Sequence, residues 1–344
     1  MGLPAPAEGA LLRRRRSDLG ARGPAPARTC GACDRPGAAA RTLELWRAGP
    51  QFTGETPLPS PAGSSLLAGE SGILVVAWQL EASGELADAL LARVRENVAN
   101  EVEELLWGSP GTLLAAHAMH GWTGEARWAG TWQESADALL ERRDGDGLWT
   151  QRLYGLPPAR LLGPAHGLVG IVQALQGNTH SELARERAAV LAREAIVEGD
   201  LASWPPEAGG EMENSRGEIR LRWCHGAPGI VATAASYLDE ELLVAGAELT
   251  WQAGAHGDEK GAGICHGTAG NGYALLKAFE RTGDERWLER ARRFAVHALT
   301  QAEQARIESG RGRYSLFTGD PGVALFAADC LDATARFPIL DGWD

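Results

Sequence analysis

The sequence predicts an all-α protein built as an α/α toroid, a ring of inner helices surrounded by outer helices. The motif Gly-x-x-Gly recurs six times from residue 69 onward, and each copy begins a run that is apolar on nearly every side, as in a buried helix. Amphipathic stretches lie between these runs. The alternation repeats at intervals of roughly 40 to 60 residues, which is typical of a helical repeat. No stretch has the pattern of a sheet.

The glycine pairs mark where the inner helices begin. The six pairs are Gly69/Gly72, Gly108/Gly111, Gly167/Gly170, Gly226/Gly229, Gly267/Gly270 and Gly319/Gly322. Glycine permits close backbone approach, and helix N-termini present unpaired N–H groups and positive dipole ends. We therefore expect a site at one end of the ring that favours thiolates and anions. The outer helices are predicted from segments charged on one face, at Glu85 to Leu106, Ser181 to Val197 and Asp284 to Thr300.

The N-terminal segment differs in composition from the rest of the chain. Residues 1–60 are rich in Pro, Ala, Gly and Arg, which predicts a poorly ordered or divergent segment. Residues 61–344 are predicted to form the toroid. Within the first segment, Cys30 and Cys33 have the spacing of half a zinc knuckle, but no second half lies nearby, so we interpret them as an incidental pair.

Composition excludes several classes of function. The 344 residues are 44% hydrophobic and include 12 tryptophans, enough for a substantial core. A net charge of -12 argues against nucleic acid or an anionic membrane as the main partner. Five cysteines are too few for a disulfide framework, and an odd number fits a reducing compartment. With neither a signal peptide nor an apolar stretch of ~20 residues, we expect a cytoplasmic protein without an integral membrane segment.

Two Cys-His-Gly steps stand at the start of two inner helices. They are Cys224-His225-Gly226 and Cys265-His266-Gly267. Zinc favours sulfur and nitrogen ligands, and three protein ligands with an open fourth position are typical of a catalytic site. The alternative is a pair of buried structural cysteines with helix-capping histidines. Because the motif is duplicated in matching register, we favour the metal site, and the residues alone leave His225 and His266 as equal candidates.

The motifs resemble those of the lanthionine synthetase C-like family. The resemblance rests on Trp223 to Gly229, Lys260 to Gly267, Gly163 to Gly170, Ser315 to Gly322 and Ala335 to Pro338. It extends from about residue 64 to the C-terminus and implies a toroid of seven helix pairs with a zinc ion at the centre of one end. Six repeats are visible here, and the first is expected within residues 1–60. The family's zinc ligands, for one Zn²⁺, fall on Cys224, Cys265 and His266.

The resemblance implies a thiol-addition enzyme. Bacterial cyclases of the family join cysteine thiols of a precursor peptide to dehydroalanine or dehydrobutyrine, and the eukaryotic-type branch adds glutathione to dehydroamino acids in damaged proteins. The Cys-His-Gly form of the first step and the presence of Lys260 favour glutathione or another small thiol. A lanthionine-forming peptide cyclase is the alternative, and a non-catalytic zinc- and glutathione-binding interaction protein is another. A glycosidase would need a pair of carboxylates at the repeat starts, and none stands out.

Thiol addition also needs enolate stabilisation and proton transfer. His166 occupies the motif position equivalent to the two Cys-His-Gly histidines and is the first candidate for the acid or base, with a helix cap as its alternative. His225 is the second candidate. The resemblance assigns Glu104 to orient the catalytic histidine, although a solvated glutamate at a helix end fits the sequence as well.

The resemblance also suggests which cations act in the site. Arg220 matches an arginine of the cyclases and is expected to stabilise the enolate, with Arg216 and Arg222 as nearby alternatives. Lys260 corresponds to a lysine that contacts glutathione. Arg313, or Arg311, is expected to hold a second carboxylate of the thiol substrate. A generic solvated charge is the alternative for each arginine.

Overall fold

In the computed structural model, inner and outer helices alternate along almost the whole described chain. The structure describes residues 37–49, 63–153, 155–175, 181–213, 217–255, 257 and 259–343. The elements in chain order are α1 (Ala38–Arg47), α2 (Glu70–Leu80), α3 (Gly84–Asn97), α4 (Ser109–Thr123), α5 (Ala126–Glu141), α6 (Leu168–Leu175), α7 (Ser181–Glu194), β1 (Ile196–Glu198), β2 (Leu201–Ser203), α8 (Ala227–Ala234), α9 (Glu240–Ala253), α10 (Thr268–Thr282), α11 (Glu285–Ser309) and α12 (Asp320–Asp332).

The even-numbered helices α2 to α12 form the inner layer, each packing on the next along the ring. The helix that follows each of the first five inner helices packs on it from outside, giving the pairs α2/α3, α4/α5, α6/α7, α8/α9 and α10/α11. Helix α1 packs on α2 and buries Leu43. None of the helices in the described part of the chain combines the length and apolar character needed to cross a bilayer.

The glycine pairs have a steric cause that repeats in all six inner helices. A Cβ at the second glycine of each pair would lie only 1.8 to 2.3 Å from the carbonyl oxygen six residues earlier. Those carbonyls belong to Leu66, Leu105, Pro164, Trp223, Ile264 and Leu316. Each loop therefore folds back over the start of its own helix, and this wrapping is possible only where a side chain is missing. The loops are gathered at one end of the ring because the inner helices all begin there.

The outer helices differ from the sequence prediction at their ends. Helix α3 ends at Asn97, not at Leu106, because polar side chains bind the following backbone in place of the helix ladder. Asn100, for example, accepts from the amide of Val102 (3.0 Å) and donates to the carbonyl of Trp107 (3.0 Å). Helix α7 ends at Glu194, because residues 196–198 pair with residues 201–203 as a short hairpin that the sequence analysis did not predict.

Two further features complete the fold. Helix α11 runs nine residues beyond the predicted end at Thr300 and stops at Ser309, before a left-handed Gly310 (φ 67°). The C-terminal residues then cross the opposite end of the ring, where Trp343 packs edge-on against Trp122 of α4 (ring centroids 5.7 Å apart). The Cys30/Cys33 pair lies outside the described residues, as does most of the segment 1–60, apart from residues 37–49.

Candidate active site

Backbone hydrogen bonds between neighbouring loops hold the cysteine motifs side by side. The amide of Cys224 donates to the carbonyl of Cys265 (3.0 Å), and the amide of Cys265 donates to the carbonyl of Phe317 (2.8 Å). On the other side, the amide of Leu105 donates to the carbonyl of Ala165 (3.2 Å). Equivalent positions of successive repeats thus lie next to each other around the mouth of the ring. Spacing along the chain alone could not establish this adjacency.

The thiols of Cys224 and Cys265 hydrogen bond to each other. The hydrogen bond from Cys265 lowers the pKa of Cys224 despite its burial, helped by the positive charges of Arg222 and His166. The same hydrogen bond, together with burial, raises the pKa of Cys265. The hydrogen bond therefore favours ionisation at Cys224 and opposes it at Cys265.

The donor set fits zinc in its chemistry. Two thiols are already in contact, and burial together with the charges of Arg222 and Lys260 lowers the pKa of His266, so that its imidazole is neutral and able to bind a metal. Within the described ranges, however, no three His, Cys, Asp or Glu side chains converge closely enough to hold a metal ion. The structure brings the two thiols together but does not bring His266 to them, and the zinc assignment stays a prediction.

Glu104 and His166 form a buried pair beside the thiols. Glu104 Oε2 lies 2.8 Å from Nδ1 of His166, and the carboxylate is completely buried. The amides of Leu106 (2.9 Å) and Trp107 also donate to this carboxylate, so its position is fixed. A carboxylate acceptor places the proton on Nδ1 and leaves Nε2 for other partners. The sequence expectation for Glu104, that it orients His166, agrees with this contact; a solvated position does not.

Glu104 also controls the protonation of His166. Burial by itself would lower the pKa of His166, but the hydrogen bond and negative charge of Glu104, with a smaller contribution from Cys224, raise it above the ordinary value. His166 therefore holds a proton more readily than a free imidazole does, in a position where its charge also acts on Cys224.

His225 has the opposite electrostatic environment. Its ring stacks on that of His166, with centroids 5.8 Å apart. Burial, together with the positive charges of His166, Arg220 and Arg222, lowers the pKa of His225 to about 3. Its Nδ1 is buried and has no hydrogen-bond partner among the described residues. Of the two candidates for a proton carrier, the electrostatic environment favours His166, because the lowered pKa of His225 keeps its imidazole neutral.

A cavity of about 390 Å³ lies beside the cysteine loops and is lined by three cations. These are Arg220, Arg222 and Lys260, which occupy the cavity wall together with Glu218 and Glu259. An anionic substrate of small size would meet a net positive surface here. The expected enolate-stabilising and carboxylate-binding residues, Arg220 and Lys260, are thus brought to one cavity.

Arg222 is the residue that the sequence analysis undervalued. Its charge acts on both cysteines and also lowers the pKa values of His225 and His266, whereas Arg220 acts on His225 alone among these groups. The amide and carbonyl of Arg222 pair with those of His225 (both 3.0 Å), and this tight turn fixes the backbone of Arg222 beside the cysteine motif. Its position two residues before Cys224 was the available signal. Arg216 lies outside the described residues.

Arg313 does not join the cavity that contains Lys260. It lines a separate cavity of about 110 Å³ between α11 and the loop before α12, where its guanidinium approaches Gly261. The expectation that Arg313 and Lys260 hold two carboxylates of one substrate requires a ligand that extends from one cavity to the other, or a movement of the loop.

The fold and this site define a helical toroid with paired thiols and a buried histidine–carboxylate pair at one end. The sequence model of the family described as lanthionine synthetase C-like protein matches residues 52–341. The chain belongs to this family, as its motifs indicated. Among solved structures, nisin cyclase matches with a TM-score of 0.61 at 17% identity, over 87% of this chain and 83% of that chain, which confirms the predicted toroid.

Two curated relatives are similar in sequence. Glutathione S-transferase LANCL1 of Danio rerio is 28% identical over 228 residues, which is 61% of this chain and 54% of that protein. LanC-like protein GCL1 of Arabidopsis thaliana is 28% identical over 200 residues, 54% of this chain and 44% of that protein. The matches therefore span about half the length of these relatives.

Proposed function

We propose that this protein adds a thiol, with glutathione as the preferred donor, to dehydroalanine or dehydrobutyrine residues of a peptide or protein, forming a thioether. The observation that carries the proposal is the arrangement around Cys224: the Glu104–His166 pair on one side and a cation-lined cavity on the other. The similarity to a protein named as a glutathione S-transferase supports glutathione as the donor.

Lys260, Arg220 and Arg222 bind and orient the substrate in this proposal. Glutathione carries two carboxylates, and hydrogen bonds from lysine and arginine to a carboxylate are roughly twice as strong as those between neutral groups. The cavity lined by these three cations adjoins the cysteine loops. Binding there would direct the thiol of the donor toward the thiol pair of the protein.

Cys224, Cys265 and His266 would hold one Zn²⁺. The ion, when bound, lowers the pKa of a donor thiol and so supplies a thiolate at neutral pH. Two cysteine thiolates would balance the charge of Zn²⁺, and the imidazole is neutral. The site would then have no net formal charge and could accept one more anionic sulfur. Arg222, whose charge already acts on both cysteines, would favour the same deprotonated state.

His166 moves the proton. Its imidazole accepts the proton of the donor thiol, and the resulting imidazolium is stabilised by the adjacent Glu104. The thiolate sulfur attacks the β-carbon of the dehydroamino acid, and the π electrons move toward the carbonyl to give an enolate, which Arg220 stabilises. The imidazolium of His166 then returns the proton to the α-carbon, so the reaction consumes one thiol and one double bond and leaves no charge.

The test is a single-turnover assay of zinc-loaded protein with glutathione and a dehydroalanine peptide, followed by mass spectrometry. The proposal predicts a peptide heavier by one glutathione, with the product lost in Cys224→Ala and slowed about 10²–10⁴-fold in His166→Asn. His117→Asn, an exposed histidine on α4, is the matched control. No adduct with the parent protein would refute the proposal.

The same assay separates the alternatives. A peptide that carries its own cysteine and a dehydroamino acid, incubated without glutathione, reports ring formation by a loss of free thiol at constant mass. Ring formation without any glutathione adduct would favour a peptide cyclase. Saturable binding of glutathione without either product would favour a non-catalytic interaction protein.

A further inference from the structure

The C-terminal segment, residues 335–343, is anchored at the end of the ring opposite the glycine loops. Asp341 forms an ion pair with Lys277 Nζ of α10 (3.1 Å) and accepts a hydrogen bond from Gln173 of α6 (3.3 Å). Lys277 and Gln173 both lie in the C-terminal halves of their helices. The segment thus connects two inner helices at the base of the ring, far along the helices from the cysteine loops.

Phe337 projects from this segment into the core. Its side chain is almost completely buried, and its ring stacks on Trp223 with centroids 4.7 Å apart and planes 16° apart. The ring also contacts Tyr273 (4.9 Å) and lies 6.4 Å from Phe317. Asp341 fixes the backbone of Phe337, because its carboxylate accepts from the Phe337 amide (2.8 Å).

Two of these three aromatic residues, Trp223 and Phe317, also support the two cysteines. Trp223 directly precedes Cys224 in the chain. The carbonyl of Phe317 accepts the hydrogen bond from the amide of Cys265 (2.8 Å). Trp223 and Phe317 also contact each other, with ring centroids 5.6 Å apart. A single ring, that of Phe337, therefore lies against the supports of both cysteines.

We propose that Phe337 is a positioning residue that sets the distance between the Cys224 and Cys265 thiols. Because cores are close-packed, the loss of a ring moves the residues stacked on it. Without Phe337 the backbones at Trp223 and Phe317 lose the packing partner that they share, and the thiol–thiol contact loosens. The inference rests on the proposed function in one respect, that the spacing of these two thiols matters for binding zinc and activating a substrate thiol.

The experiment measures thiol spacing without metal or substrate. Phenylarsine oxide reacts with two adjacent thiols to form a cyclic dithioarsenite and one water, so its affinity depends on how close the thiols are held. Cys30 and Cys33 are first replaced by serine, because they also form a candidate pair. We expect the metal-free parent to bind one equivalent, and Phe337→Leu to bind about tenfold more weakly while remaining folded by circular dichroism.

Phe326→Leu is the matched control. Phe326 is also fully buried, and in the described part of the chain its ring packs on Tyr273 (5.1 Å) but not on Trp223 or Phe317. It should lower the melting temperature as Phe337→Leu does, yet keep the parental affinity for the arsenical. Equal affinity in parent and Phe337→Leu, or equal weakening in both leucine variants, overturns the proposal.

Two further outcomes are informative. Should Phe337→Leu not fold, Asp341→Ala loosens the same segment while keeping the ring, and we expect its affinity to fall about threefold; unchanged affinity there also overturns the proposal. Because the titration uses neither zinc nor a dehydroamino acid, a positive result stands even where the thiol-addition assay fails, and a negative result leaves that assay unaffected.

Discussion

The Nδ1 atom of His166 lies 2.8 Å from a carboxylate oxygen of Glu104, although 62 residues separate the two in the chain. Glu104 sits in the loop before α4 and His166 in the loop before α6, at neighbouring places on the mouth of the ring. The contact joins a completely buried carboxylate to the imidazole whose positive charge helps to lower the pKa of Cys224. Most of the chemistry proposed for the protein depends on this pair.

Replacing Glu104 by glutamine should lower the pKa of His166. The amide oxygen can still accept the hydrogen bond, but the substitution removes the negative charge, and charge and hydrogen bond together now outweigh the effect of burial. Proton NMR titration of the histidine rings in the metal-free protein measures the change, and Glu101→Gln, an exposed neighbour, is the control. An unchanged His166 titration in Glu104→Gln would show that the carboxylate does not control this proton.

Zinc analysis tests the ligand set. With Cys30 and Cys33 replaced by serine, we expect about one zinc per chain in the purified protein, as three protein ligands with an open position bind this metal. Cys224→Ala or Cys265→Ala should lose most of it, and His266→Ala should retain less than His225→Ala. Full zinc retention in both cysteine variants would exclude these thiols as ligands, and equal retention in the histidine variants would remove the preference for His266.

The sequence predicted those parts of the molecule whose cause is local. The six glycine pairs could be recognised in the sequence because their cause is local. At the second glycine of each pair, a side chain would clash with the carbonyl oxygen six residues earlier. The ends of the outer helices were predicted less well, since the side chains of Asn97 and Asn100 end α3 through contacts that the hydrophobic pattern does not contain.

The site was predictable in its residue types but not in its contacts. The duplicated Cys-His-Gly step identified both cysteines, whereas their mutual hydrogen bond depends on how two loops lie side by side. Arg222 and Arg313 illustrate the limit. The charge of Arg222 acts on both thiols, whereas Arg313 lines a different cavity, and the path of each loop decides where its arginine lies.

Substitution of glycine by alanine should have opposite effects on stability at a glycine of the Gly-x-x-Gly motif and at an exposed glycine of an outer helix. Gly229→Ala places a Cβ 1.8 Å from the carbonyl oxygen of Trp223, and we expect a loss of more than about 3 kcal/mol in the free energy of unfolding. Gly130→Ala, in the exposed middle of α5 with nothing within 4 Å, should gain about 0.5–1 kcal/mol. Urea unfolding measures both, and a mild effect of Gly229→Ala would contradict the steric explanation of the motif.

Glu103 should make stability depend on pH. Burial raises its pKa from 4.5 to about 7, against the opposing effect of the Arg142 guanidinium. The folded state therefore holds this proton more tightly than the unfolded state. The contribution of Glu103 to the free energy of unfolding should be fully present below pH 4.5 and should be lost as the pH rises through about 7, by at most about 3 kcal/mol.

Glu103→Gln, which mimics the protonated acid, should flatten this dependence, and Glu134→Gln on the exposed face of α5 should not. Urea midpoints at pH 5 and pH 8 measure both variants. The same slope in parent and Glu103→Gln would assign the pH dependence to another group.

The last prediction separates binding from proton transfer. Lys260→Ala should weaken glutathione binding by roughly 1.5–3 kcal/mol, the loss expected for a hydrogen bond to a charged group, because Lys260 lines the cavity beside the cysteine loops. Arg313→Ala should change the affinity much less, since Arg313 lines the other cavity. His166→Asn should keep the affinity and lose rate, because His166 is paired with Glu104 and does not line that cavity. Calorimetry with glutathione measures the affinities. Equal losses in Lys260→Ala and Arg313→Ala would mean that one ligand spans both cavities, and parental affinity in Lys260→Ala would favour a peptide thiol over an anionic small thiol.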